Sequence, residues 1–85
     1  MKYIVECFDM QHANYAMWTV KGQTAKWETP VKMFKNDRII QVGDTIFFLA
    51  VKPIDYKGRR DWTQVSVDYM YSWFDERSKN EERGR

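Results

Sequence analysis

The segment Lys35-Asn36-Asp37-Arg38-Ile39-Ile40-Gln41-Val42-Gly43-Asp44-Thr45-Ile46-Phe47-Phe48-Leu49-Ala50-Val51 reads as a turn, a short strand, a Gly-Asp corner and an apolar strand. Asn36 and Asp37 tolerate the left-handed backbone that a tight hairpin needs. Over residues 45–52 successive side chains alternate between faces: Ile46, Phe48 and Ala50 point one way, Phe47, Leu49 and Val51 the other. Both faces are apolar, so this strand belongs inside a sheet and needs cover on both sides. The expected cover is a helix or the rest of a closed barrel.

Working outward, residues 31–35 read as the strand that turns through Asn36-Asp37 into residues 38–42. The competing reading is a helix start, with Thr29 as N-cap and Pro30 at the first helical position; the strand is favoured because the run before Asn36 is short. Upstream, residues 3–8 (Tyr-Ile-Val-Glu-Cys-Phe) form a first strand. Residues 9–14 are polar and read as a loop carrying His12. Residues 15–20 (Tyr-Ala-Met-Trp-Thr-Val) are rich in aromatic and β-branched types and read as a second strand, returning through Lys21-Gly22-Gln23 into a short third strand over 24–28. Downstream, residues 53–61 form a polar loop with a basic tip, and Lys52 and Trp62 bracket a β-hairpin whose loop carries Tyr56, Lys57, Arg59 and Arg60. Residues 62–71 then alternate, with Val65, Val67 and Tyr69 opposite Gln64, Ser66 and Asp68. Trp73 and Phe74 anchor a final helical turn or two.

These elements assemble into a mainly β fold, a small antiparallel barrel of five or six strands with a short C-terminal helix or tail. The expected domain spans residues 1–77. Residues 78–85 carry no apolar side chain and read as a charged, flexible tail. At 85 residues the chain buries only about 60–65% of its unfolded surface. Its 16% aromatic content nevertheless allows a core without metal or disulfide staples.

Composition excludes several chemistries. One cysteine, Cys7, cannot form an internal disulfide and reads as a buried thiol in a reducing compartment. One histidine and one cysteine cannot build a sequence-local zinc cluster. Ser66, Ser72 and Ser78 lie outside any Gly-rich elbow, and the four glycines are dispersed rather than gathered into a phosphate loop. No catalytic residue, metal site or cofactor is expected, and the chain reads as a binding protein rather than an enzyme. No apolar run approaches the roughly 20 residues of a bilayer span, and no cleavable signal is visible, so a cytoplasmic location without membrane contact is expected.

The residues support two functional readings. The first is protein–protein interaction, as a homodimer or as an inhibitor or adaptor of a larger protein. Met10, Met17, Trp18 and Trp27 are of types enriched at interfaces. Small size and aromatic richness also suit a phage-encoded protein that binds a host enzyme. The second reading is an RNA- or DNA-binding barrel. Lys57, Arg59 and Arg60 offer cations to phosphates, and the flanking Tyr56 and Trp62 offer rings to unpaired bases. Lys35 and Arg38 extend this patch only if the loop over 56–62 comes to meet them. A net charge of +2 is too small to decide between the two readings.

The turn Lys35-Asn36-Asp37-Arg38, the corner Gln41-Val42-Gly43-Asp44 and the later Lys57-Gly58-Arg59 ahead of Thr63-Gln64-Val65-Ser66-Val67-Asp68-Tyr69 resemble a segment of the ASCH and PUA-like β-barrel superfamily. The resemblance covers roughly residues 31–71. It implies a barrel fold and RNA or nucleotide binding, with Lys35, Asp37 and Arg38 near the ligand groove. Residues 1–30 depart from that pattern, which would open on a helix.

Overall fold

The computed structural model describes residues 1–51, 58–59 and 61–83, the last two as helix backbone only. The chain runs β1 (Lys2–Cys7), α1 (Met10–Gln23), β2 (Lys32–Phe34), β3 (Ile39–Val42), β4 (Thr45–Val51), β5 (Thr63–Ser66) and α2 (Val67–Arg83). The strands form one sheet in the order β2-β3-β4-β1-β5. β1 is parallel to both of its neighbours, β4 and β5, whereas β2, β3 and β4 run antiparallel in sequence. The expected antiparallel barrel is therefore corrected to an open, mixed α/β sheet whose edges are β2 and β5. The apolar faces of β4 do find cover, but both helices supply it on one side, so the sheet has no need to close on itself.

The hairpin at the centre of the sequence forms as expected: Met33 pairs with Ile40, and Ile40 with Phe47. The left-handed residues are Arg38 (φ +54°) and Gly43 (φ +55°), rather than Asn36 and Asp37.

Residues 9–20, expected as a loop and a strand, are helical. Ala13, Ala16, Met17 and Val20 recur at helical spacing and are all buried. Tyr15 and Trp18, which gave the segment its strand-like composition, lie off that stripe in solvent. The start is fixed by a reciprocal cap. Asp9 Oδ1 accepts the His12 N–H at 2.7 Å, and His12 Nδ1 accepts the Phe8 N–H at 3.0 Å. This resembles a capping box, with histidine in the place usually held by Glu or Gln but accepting from the N–H of Phe8, one residue before the N-cap Asp9, so His12 is a cap residue and not a free loop side chain.

The strand expected over 62–71 stops at Ser66. There Ser66 Oγ accepts the Tyr69 N–H at 3.0 Å and caps α2. Val67, Met70 and Phe74 then enter the core at helical spacing. The helix continues through the segment expected as a tail, because residues 24–29 hold it. Trp27 Nε1–H donates to Ser78 Oγ at 2.9 Å, and the Thr29 N–H donates to Glu81 Oε1 at 3.3 Å. The hairpin expected between β4 and residues 62–71 is also corrected: β5 lies beyond β1, parallel to it.

The main core lies between the helices and the sheet face carrying Tyr3, Val5, Cys7, Ile40, Val42, Phe47 and Leu49. Phe47 is its hub, with ring centroids 5.1 Å from Tyr3, 5.4 Å from Phe74 and 5.2 Å from Trp73. The opposite face buries Ile4, Phe48 and Ala50, packed by Ile39 and Trp62. Arg59 and Trp62, which precede β5, lie on this second face. No helix among the described residues is long and apolar enough to cross a membrane.

Candidate nucleic-acid interface

Cations and rings alternate across the second sheet face. Arg38 stands at the entry to β3. Its left-handed backbone turns the chain, its carbonyl accepts the Leu49 N–H at 2.9 Å, and its Nε–H donates to Leu49 O at 3.0 Å. The guanidinium carbon then sits 5.9 Å from the centre of the Phe48 ring. Arg59 approaches the same ring at 4.3 Å and the Trp62 ring at 5.3 Å. A turn bond from the Trp62 N–H to Arg59 O at 3.0 Å fixes these two residues relative to each other. Lys2, at the start of β1, places its ammonium 5.6 Å from the Trp62 ring. The row runs Arg38, Phe48, Arg59, Trp62, Lys2.

Two properties make this row a candidate for anion recognition. A guanidinium held over a ring keeps N–H donors that a phosphate can use, the terminal NH₂ groups in the case of Arg38, whose Nε–H is taken by Leu49 O. No carboxylate of the described residues pairs with Arg38, Arg59 or Lys2, since the ion pair found among those residues is Lys79–Glu76 on α2, at 3.4 Å. Phe48 is only 3% exposed, so it backs the guanidiniums and cannot itself stack on a base. Trp62 is half-buried and keeps ring surface in solvent.

The basic set read from sequence is thus partly assembled. Arg38, Arg59 and Trp62 come together. Lys35 parts from Arg38 and lines a groove beside α1 with Trp18 and Lys21. Tyr56, Lys57 and Arg60 lie outside the described residues. Lys2 and Phe48 were not read as site residues. Lys2 could have been found only from the register that places β1 between β4 and β5.

The interface set does not form one surface. Met10 and Trp18 are exposed on α1, at 48% and 70%, but Met17 is buried and Trp27 packs its ring 5.6 Å from Phe74. Tyr15, 64% exposed, joins Trp18 on the outer face of α1.

A second concavity lies at the carboxyl ends of β1 and β5, lined by Glu6, Cys7, Phe8, His12, Gln64, Val65 and Ser66. Open α/β sheets often bind ligands at this end. Here Asp9 and Ser66 already occupy helix amides, and Cys7 is fully buried. Burial pushes the Cys7 thiol up to about 11, against a smaller opposing pull from Arg38, so it carries no thiolate at neutral pH. Among the described residues no group of His, Cys, Asp and Glu could hold a metal ion. No family model matches this chain, and neither a curated protein nor a solved structure does.

Proposed function

We propose that this chain is a binding module for single-stranded nucleic acid, using the second face of its sheet. One observation carries the reading. Arg38 and Arg59, far apart in sequence, converge on the single ring of Phe48, with no carboxylate of the described residues paired to either. Two guanidiniums over one ring put like charges on one small surface, and a phosphate bound there would offset their repulsion. The competing explanation is that both arginines merely roof an apolar sheet face with their stems. Roofing alone does not require two cations, because methionine or leucine would cover Phe48 without the repulsion.

The helices leave this second face to a cover of Arg38, Arg59 and Trp62, whose outer surface would meet an extended strand of bases and phosphates. Here Arg38, Arg59 and Lys2 would take phosphates and Trp62 would stack on a base. Tests with single-stranded and duplex oligonucleotides of equal length distinguish this from general polyanion attraction. Tighter binding to the single strand is expected, because only unpaired bases can reach Trp62. Equal affinity for both, or no binding at low salt, would overturn the proposal.

A further inference from the structure

On the helix side of the sheet, α1 and β2 leave a groove. Asn14, Met17, Trp18, Lys21, Met33 and Lys35 line a cavity of about 230 Å³. An adjoining cavity of about 480 Å³ shares Lys21, Met33 and Lys35 and runs on past Trp27 and Pro30. The two lie side by side along an edge strand, with Lys21, Met33 and Lys35 on the wall between them. The groove's floor is apolar, from Met17 and Met33. Its middle is flanked by two ammonium groups, and Trp18 stands at one end with most of its surface in solvent. Exposing a tryptophan this much on a packed helix forgoes burial of an aromatic side chain and leaves an anchor of the kind that dominates interfaces.

We infer that this groove docks a short, extended, acidic segment of a partner protein, laid along β2 as an added strand. The segment's backbone would pair with the outer edge of β2, which has no neighbour in the sheet among the described residues. An apolar side chain would enter between Trp18 and Met33, and flanking carboxylates would meet Lys21 and Lys35. Charge selects this occupant over a second copy of the chain. Lys32 and Lys35 border the β2 edge, so two such edges brought together would place lysines against lysines. Glu28, a carboxylate at the Trp27 end of the groove, already has an interaction within the fold. The groove lies on the opposite face from Arg38 and Arg59, so the two surfaces can be tested independently.

The probe is an array of short synthetic peptides in which alternate positions are Glu, Lys or Ser around a central Leu, presented to the intact protein. Binding by the Glu series is expected, weakened about tenfold or more by Trp18→Ala, a change at an exposed site that leaves the core intact. Lys21→Glu with Lys35→Glu should switch preference to the Lys series. Backbone N-methylation of the Glu peptides should abolish binding, and amide shifts on titration should map to residues 31–35. The inference is overturned if the array shows no charge preference. It is also overturned if the charge-reversed protein keeps the original preference, or if the shifts map to Arg38, Arg59 and Trp62.

Discussion

Replacing Arg59 by Gln tests the central claim, because the same change has separable effects on stability and on binding. Arg59 contacts the rings of Phe48 and Trp62, and such contacts contribute about 0.5–2 kcal/mol each, depending on desolvation. Gln retains much of the stem that covers Phe48, so the stability loss should sit near the low end. A chain of this size has about 4–13 kcal/mol of total stability, so the variant should remain folded. Binding should suffer more. A charge-assisted hydrogen bond contributes about 1.5–3 kcal/mol, which corresponds to roughly ten- to a hundredfold in affinity. Each phosphate neutralised on a single strand contributes about 0.7 to the slope of log affinity against log salt. Arg59→Gln should lower that slope by about 0.7, and Arg38→Gln with Arg59→Gln by about 1.4. Arg59→Lys should keep the slope, since the charge persists, while losing affinity with the planar fork and the stacking. Fluorescence anisotropy of a labelled oligonucleotide across a salt series measures both quantities, with circular dichroism checking the fold. If the folded double variant binds with the parental slope and affinity, the arginines are only a roof over Phe48 and the reasoning fails.

Phe47→Ala should cost about 3–5 kcal/mol, because it opens a cavity where three aromatic contacts meet; a melting curve within experimental error of the parent would contradict the placement of Phe47 at the hub of the core. Asp9→Ala should lower stability by about 1 kcal/mol. His12→Ala should lower it by less, and His12→Gln should restore it, since Gln can fill the same half of the capping box; denaturant midpoints that fail to separate Ala from Gln at position 12 would remove histidine from the cap. The Cys7 thiol sits at about 11 in the folded chain against 9.0 for the free group. The folded state therefore holds a proton that the unfolded chain has released, and stability should be flat below pH 9 and fall by the order of 2 kcal/mol as pH rises toward about 11. Tyr3 and Tyr71, also shifted upward, add in the same direction from about pH 10, the value of a free tyrosine. Cys7→Ala should lessen the alkaline loss, and a parallel loss in both proteins would assign it elsewhere.

Much of the sheet was legible because strand periodicity is a local property. The alternation from Ile46 to Val51 correctly divided β4 between two buried layers, and Asn36-Asp37 placed the hairpin that joins β2 to β3. Burial of Cys7 followed from its apolar neighbours. The helices were misread where composition and period disagreed. Tyr15, Trp18 and Thr19 favour strands as residue types, yet Ala13, Ala16, Met17 and Val20 repeat at helical spacing, and burial follows the spacing. At Ser66 the alternation of β5 runs into the helical spacing of Val67, Met70 and Phe74, and only the cap on Tyr69 N–H marks the change.

The sequence alone determined which strand must be covered on both faces, because the pleat assigns every side chain of β4 to one face or the other. It did not determine what provides the cover. That depended on β1 inserting between β4 and β5, a parallel pairing that depends on contacts far apart along the chain. With that strand order, Arg59, just ahead of β5, and Arg38, at the entry to β3, both lie over the Phe48 ring. Each arginine was visible as a cation, but only the tertiary structure placed both on one ring, because proximity across the sheet depends on strand order and leaves no mark on local residue patterns.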